Sequence, residues 1–348
     1  MTSPRDRARG CLLGLAAGDA LGAPAENLTP EEIRRRWGRL TEIEGGGTDD
    51  TEYAIYAASL LVRHGHALTA ADVAAAYRAE VIPRVTGPMR GAGFSELGTV
   101  EALRRGLEPP LTGLVHNHGW SDGLAMRAAP YGIFCPGDPA EAARLIEQDG
   151  LVSASGEGIT GGRAVAGAVA AAMGGATPQE VVDAALSVVP AGSWTARNIV
   201  RAREALTAGD PAALHDAVVV RHYPWTDVAP EAVALAMAAF LAGDGDVEAA
   251  VTYGVGLGRD ADTIGAIAGA LAGACQGESG VPPRWAAKIG PVTGKCLPVV
   301  AGRHVLDVAD ELADRLAEGG GRAGAPAATG KPAEAGRTAG ADVPAEGL

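Results

Sequence analysis

Two short stretches of the chain place carboxylates where a helix should begin. "GGGTDDTEYA" at 45–54 sets Thr48, Asp49 and Asp50 side by side, after three glycines and ahead of an apolar helical pattern. "GRDADTIGAIAGALAGA" at 258–274 sets Asp260, Asp262 and Thr263 ahead of another. One carboxylate or hydroxyl at a helix mouth is an ordinary N-cap. Adjacent carboxylates repel unless something positive sits between them. Hard divalent cations take oxygen ligands, and carboxylates with Thr hydroxyls suit Mg²⁺, Mn²⁺ or Ca²⁺. If the two helix starts meet in space, they supply about six protein oxygens, room for two ions with bridging water. The alternative is two independent caps with solvated neighbours. The clusters lie about 210 residues apart, so spacing alone leaves both open.

The elements that must position these groups read as helices. "LTPEEIRRRW" carries a capping box, with Thr29 as N-cap, Pro30 at the first helical position and Glu32 two residues on. "TEYAIYAASLLVRHG" has apolar positions 54, 55, 58, 61 and 62 and stops at Gly65. Further helices are predicted at 70–80, 98–105, 139–147, 163–173, 178–187, 195–206, 229–242, 246–253, 263–275 and 305–316. No segment alternates with period two, and no fixed-period repeat is present. Aromatics make up only 4% of the chain, with 50 glycines and an apolar mass of Ala, Val and Leu. Such small residues, as in "AVAGAVAAAMGGA" and "IGAIAGALAGA", favour closely packed helices over a β-sandwich. Residues 1–317 are expected to form one helical domain. The Gly/Ala/Pro-rich stretch 318–348 has almost no large apolar residue and is expected to be a disordered tail.

Bulk properties narrow the function. A net charge of −13 and a pI of about 5.0 leave no basic footprint for general nucleic-acid binding. Cys11, Cys135, Cys275 and Cys296 are widely spaced and form no CxxC, which argues against a thiolate metal site or a disulfide framework. The N-terminus MTSPRDRARG lacks an apolar core, and the longest apolar run, roughly 264–275, is too short to cross a bilayer. A cytoplasmic monomer with reduced thiols is expected.

The order of five motifs resembles the ADP-ribosylglycohydrolase family, which includes the dinitrogenase-reductase-activating glycohydrolases. These are "GCLLGLAAGDALGAPAE" at 10–26, "GGGTDDTEYA" at 45–54, "SDGLAMRAAPYGI" at 121–133, "SGEGITGGRAVAGAVAAA" at 155–172 and "GRDADTIGAIAGALAGA" at 258–274. The resemblance implies an all-α orthogonal multi-helix bundle with a centre of two Mg²⁺ or Mn²⁺. By position, the ligands it implies are Thr48, Asp49, Asp50, Asp260, Asp262 and Thr263.

It also implies roles around that centre. Glu26, after "GDALGAPA", falls where the family places an acid near the metals and the scissile sugar. Glu96, in "FSELGTV", falls where many members carry an acid before a glycine, and either Glu26 or Glu96 is expected to act catalytically by handling the proton. Ser121, Asp122 and Gly123, with Gly156, Glu157 and Gly158, match loops that embrace the ribose and phosphates, and Gly-rich turns can form anion nests. Asp19 is expected to brace its own loop through backbone N–H groups, and Arg127 to form an internal salt bridge. His116 and His118 are expected on a surface loop, and Trp120, Trp194 and Trp225 in packing. The implied reaction is hydrolysis of the N- or O-glycosidic bond at C1″ of an ADP-ribosyl group. Three alternatives stand beside it: an N-glycosidase acting on another ribosylated nucleotide or metabolite, a non-catalytic ADP-ribose binder, and a metal-dependent phosphohydrolase. Two departures from relatives, Ala154 where many carry His and Gly256 where many carry Asn, lead to the expectation of an altered substrate shell.

Overall fold

Glycine at every fourth position of the first helix sets the architecture. In the computed structural model, which describes residues 2–87, 89, 93–207 and 211–320, helix α1 (Pro4–Gly22) starts at a Ser3 cap that accepts from the Asp6 amide. Residues four apart share one face of a helix, so Gly10, Gly14, Gly18 and Gly22 form a flat strip. The strip lies against a matching strip on α12 (Ala261–Gln276), running the other way. A Cβ added at Gly14 would come within 2.2 Å of the Gly269 carbonyl oxygen, at Gly18 within 2.0 Å of that of Gly265, and at Gly22 within 2.4 Å of the Asp262 Cα. The two backbones therefore touch over the whole shared length. The last contact fixes where the Asp260–Thr263 cluster sits.

Between these two helices the longer elements run in order α2 (Pro30–Trp37), α3 (Asp49–His64), α4 (Phe94–Arg104), α5 (Pro139–Ser153), α6 (Glu157–Met173), α7 (Pro178–Ser187), α8 (Trp194–Leu206), α9 (Pro211–Val218), α10 (Ala229–Ala242) and α11 (Val247–Gly256). Helix α13 (Val305–Gly320) closes the described chain. It runs past the expected boundary at 317, and residues 321–348 of the expected tail lie outside the described residues. Among the described residues there is no strand; the one isolated bridge pairs Ser121 with Val228. The fold is all-α, as expected.

The predicted capping box at Thr29 and Glu32 is present. Thr69 with Asp72 and Thr177 with Glu180 form two more. The core is built from Ala, Val and Leu, and α6, α10 and α12 are buried almost along their whole length. Helix α1 was not among the predicted helices. Glycine carries the poorest propensity of any residue but proline, so a glycine ladder hides a helix from a propensity-based search. Helix α5 runs six residues beyond the predicted 147 because "QDGLVS" continues through Gly150, whose missing Cβ leaves room for Leu124.

Candidate metal centre and active site

Helices α3 and α12 bring their N-termini together. Thr48 caps α3 and Asp260 caps α12. The Thr263 hydroxyl donates to Asp50 Oδ1 at 3.1 Å, across 213 positions of sequence. The two acidic clusters thus form one site, which independent caps would not require. Asp19, near the end of α1, is fully buried and holds the α3 start in place: its carboxylate accepts from the Thr48 amide at 2.8 Å, the Thr51 amide at 3.2 Å and the Thr51 hydroxyl. Asp19 therefore braces the Thr48 loop and not its own. Helix α1 thus locates both clusters, α12 through the glycine strip and α3 through Asp19.

The clusters open onto a cavity of about 520 Å³. Glu26, Glu96, Ser121, Asp122, Gly123 and Asp227 line it as well, and among the described residues Lys295 is the cationic side chain in its wall. Burial pushes Asp49, Asp50, Asp122, Asp260 and Asp262 well above the usual carboxylate range, and their mutual repulsion adds to the shift. Asp227 is raised by burial too. Asp50 Oδ2, Asp122 Oδ2 and Asp262 Oδ1 are buried with no hydrogen-bond partner. Among the described residues, no three His, Cys, Asp or Glu side chains stand at the mutual spacing of a closed metal shell. The donor chemistry nonetheless fits hard divalent cations: it is all oxygen, concentrated at one place, with buried oxygens unpartnered. A buried polar atom left unpaired is costly, and a buried unpaired charge more so.

Around this centre the expected residues take distinct places. Glu26 is exposed at the mouth, where the Asn27 side-chain Nδ2 donates to its Oε1 at 2.9 Å. Glu96 is buried in the wall, accepting from Arg127 at 2.9 Å and from the Ser95 hydroxyl at 2.6 Å. Arg127 is an internal anchor, as expected: it forks onto Asp149 at 2.9 and 3.1 Å and also donates to Ser153 and to the Gly123 carbonyl. The anchor fixes the 121–123 loop, where the Asp122 amide donates to the Asp227 carbonyl at 3.0 Å.

The 156–158 turn lies apart from the acidic cavity. Glu157 accepts from the Trp194 amide at 2.7 Å and the Thr195 amide at 3.0 Å, so its carboxylate caps α8 and is not turned toward a ligand. Gly156 and Gly158 serve close approach: a Cβ would fall 2.4 Å from Trp120 Nε1 and 2.2 Å from the Gly119 carbonyl oxygen. His116 and His118 form no metal pair; the half-buried His116 packs over Gly98 and His118 stacks on Phe94 at 4.5 Å.

Comparison with known proteins places the chain in a family. The sequence model of the ADP-ribosylglycohydrolase family matches residues 1–325. The chain belongs to that family. It is 28% identical over 308 residues to the ADP-ribosyl-[dinitrogen reductase] glycohydrolase of Rhodospirillum rubrum, covering 83% of this chain and 92% of that protein. It is 26% identical over 338 residues to the ADP-ribosylarginine hydrolase Tri1 of Pseudomonas putida (strain GB-1), covering 89% and 78%. A solved ADP-ribosylglycohydrolase-related protein complex shares the fold with a TM-score of 0.62, at 24% identity, over 91% of this chain and 99% of that one.

For a family member, the two noted departures sit in unexpected places. Ala154 is buried at the end of α5, its carbonyl against Gly113, and does not line the acidic cavity. Gly256 ends α11 and lines a different cavity. The expectation of an altered substrate shell therefore loses its structural basis. Three residues were not anticipated. Asp227 sits in "YPWTDVAP", where nothing in the sequence marks it. Lys295 and Cys296 reach the wall because Glu52, one turn into α3, accepts from the amides of Lys295, Cys296 and Leu297 at 3.0, 2.9 and 2.6 Å. A third acid within "TDDTE" was the available signal.

Proposed function

We propose that the chain hydrolyses the N- or O-glycosidic bond at C1″ of an ADP-ribosylated substrate, using two Mg²⁺ or Mn²⁺ held by Thr48, Asp49, Asp50, Asp260, Asp262 and Thr263. The Thr263–Asp50 contact carries this reading, because it joins two acid clusters beside unpartnered buried oxygens. Bound there, divalent cations would hold ribose hydroxyls and lower the pKa of a water. The protein's own groups do the rest. The ring of carboxylates favours positive charge developing on the ribose as the leaving group departs. Glu26, accessible at the cavity mouth, moves the proton. Glu96, tied to Arg127 and Ser95, positions the wall instead. The 121–123 loop, anchored by Arg127, contacts the substrate, and Gly156 and Gly158 shape that loop from below.

The P. putida relative is named for an arginine linkage, so ADP-ribosyl-arginine is the first substrate to test. Incubation with a panel of ribosylated compounds, with Mg²⁺, with Mn²⁺ and with chelator, is expected to release free ADP-ribose only in the presence of a cation. Release of inorganic phosphate would mark a phosphohydrolase, and another ribosyl product a different N-glycosidase. Tight binding without turnover would mark a binding protein.

A further inference from the structure

We propose that a second cavity, behind the acidic one, binds a small organic phosphate with a planar or apolar body and bears on the wall the two cavities share. It measures about 620 Å³ and lies among α2, α9 and α11. Ile33, Leu40 and Leu257 give it an apolar floor, and Tyr253 adds a ring. Its charge contrasts with that of the acidic cavity. Arg34 and Arg39 line it, and among the described residues neither forms an ion pair; the Arg39 guanidinium donates to the Thr252 hydroxyl. Two acids also line it: Asp216 is already paired with Arg221, and Glu31 sits in the first turn of α2, where the helix N-terminus offsets its charge. Guanidinium groups without a carboxylate partner are suited to bidentate recognition of a phosphate. A cavity of this size with an apolar floor and polar groups at its rim is suited to a small molecule.

The wall between the cavities is built from two short segments. Thr29 and Pro30 face the basic cavity, and Glu26 and Asn27 line the acidic one. Gly256 and Leu257 face the first, and Asp260 lines the second. The segments are joined by hydrogen bonds from the Asn27 amide to the Arg259 carbonyl at 2.8 Å and from the Arg259 amide to the Leu28 carbonyl at 3.0 Å. Both Asn27 and Arg259 have φ of 62°, the left-handed region that non-glycine residues rarely adopt. Such conformations persist only where surrounding contacts hold them. A ligand packed against residues 29–30 and 256–257 becomes one of those contacts.

The test uses AMP as probe, the full chain and chelating buffer. Binding does not depend on what the acidic cavity catalyses. Calorimetry is expected to show one equivalent of AMP bound, with adenosine weaker. Arg34→Ala with Arg39→Ala should weaken AMP binding about tenfold to a hundredfold, the range for hydrogen bonds to a charged group. Gly256→Leu should abolish it while keeping the fold, read by an unchanged Tm, since a Cβ there meets nothing within 4 Å and Gly256 lines the cavity. Asp262→Asn should leave it unchanged. Amide exchange at Asn27 and Arg259 should slow on AMP addition. No saturable binding, or binding that survives Gly256→Leu but not Asp262→Asn, overturns the site. Unaltered exchange at the two amides with AMP bound overturns its action on the wall.

Discussion

The glycine strip makes a graded prediction. Alanine at Gly10, Gly14, Gly18 or Gly22 places a Cβ 2.3, 2.2, 2.0 or 2.4 Å from backbone atoms of the facing segment, where real Cβ contacts do not fall below 3.0 Å. Each substitution must therefore move the facing backbone by at least about 0.6–1 Å, since backbone cannot rotate away as a side chain can. Overpacking of this kind costs about 1–3 kcal/mol, and the helix-propensity gain of replacing Gly returns at most about 1 kcal/mol. The four variants should thus lose similar stability, roughly 1–2 kcal/mol each, read as a drop of a few degrees in Tm. Function should not follow stability. Gly22 abuts Asp262, whereas Gly10 lies twelve positions earlier, about 18 Å along the helix. A shift near 1 Å in a positioned catalytic group can cost about a hundredfold in rate. So Gly22→Ala should lower kcat/KM by about that factor and blunt the Mg²⁺-dependent rise in Tm, while Gly10→Ala keeps both near wild type. Equal functional loss at Gly10 and Gly22, or full function in Gly22→Ala, would refute the claim that the strip positions the centre.

Further outcomes follow from the acidic cluster and its supports. Asp50→Asn and Asp262→Asn should each abolish the cation-dependent rise in Tm; if only one does so, a centre shared between α3 and α12 is wrong. In chelating buffer the carboxylates whose folded pKa is raised are stable as protonated groups, so their contribution is full below the unfolded value of about 3.9 and is lost as pH rises through the folded pKa. The Tm of cation-free protein should therefore fall from pH 5 to pH 8, and Asp262→Asn should flatten that fall; a cation-free Tm that rises over this range contradicts it. Arg127→Met leaves Asp149 and Glu96 buried without their cation and should cost about 3–5 kcal/mol by denaturant unfolding; a loss under 1 kcal/mol would show that the pair is solvated.

How much of this was legible depended on whether the signal was local. Thr29 with Glu32 is a cap readable from four residues, and it is there. The acidic clusters at 48–50 and 260–263 were legible as candidates because two carboxylates exceed what a cap needs. Their meeting was not, since the Thr263–Asp50 contact depends on how α1 docks on α12. Helix α1 itself was concealed by the glycines that make that docking possible. Glu157 was misplaced for a related reason. A carboxylate in a Gly-rich turn serves equally well to bind a ligand or to cap a helix, and the choice was made by Trp194 and Thr195, nearly forty positions away.

The same long-range logic explains why the site can hold so many carboxylates close together. Asp49, Asp50, Asp260 and Asp262 repel one another, and a pliable scaffold would relieve the repulsion by moving α3 from α12. Three features oppose that movement. The glycine strip locks α12 to α1 by direct backbone contact, so α12 cannot slide without a clash at several positions at once. Asp19 then ties the start of α3 to the same helix through three donors. Glu52 adds a second tie on the far side of that turn, drawing in the 295–297 segment. In the proposed metal centre, carboxylates already held together in this way would favour a divalent cation, because the scaffold and not the ion opposes their separation. If the proposed centre binds cations, loosening α1 should weaken that binding before it unfolds the chain, read as a cation-dependent rise in Tm that shrinks before the cation-free Tm falls.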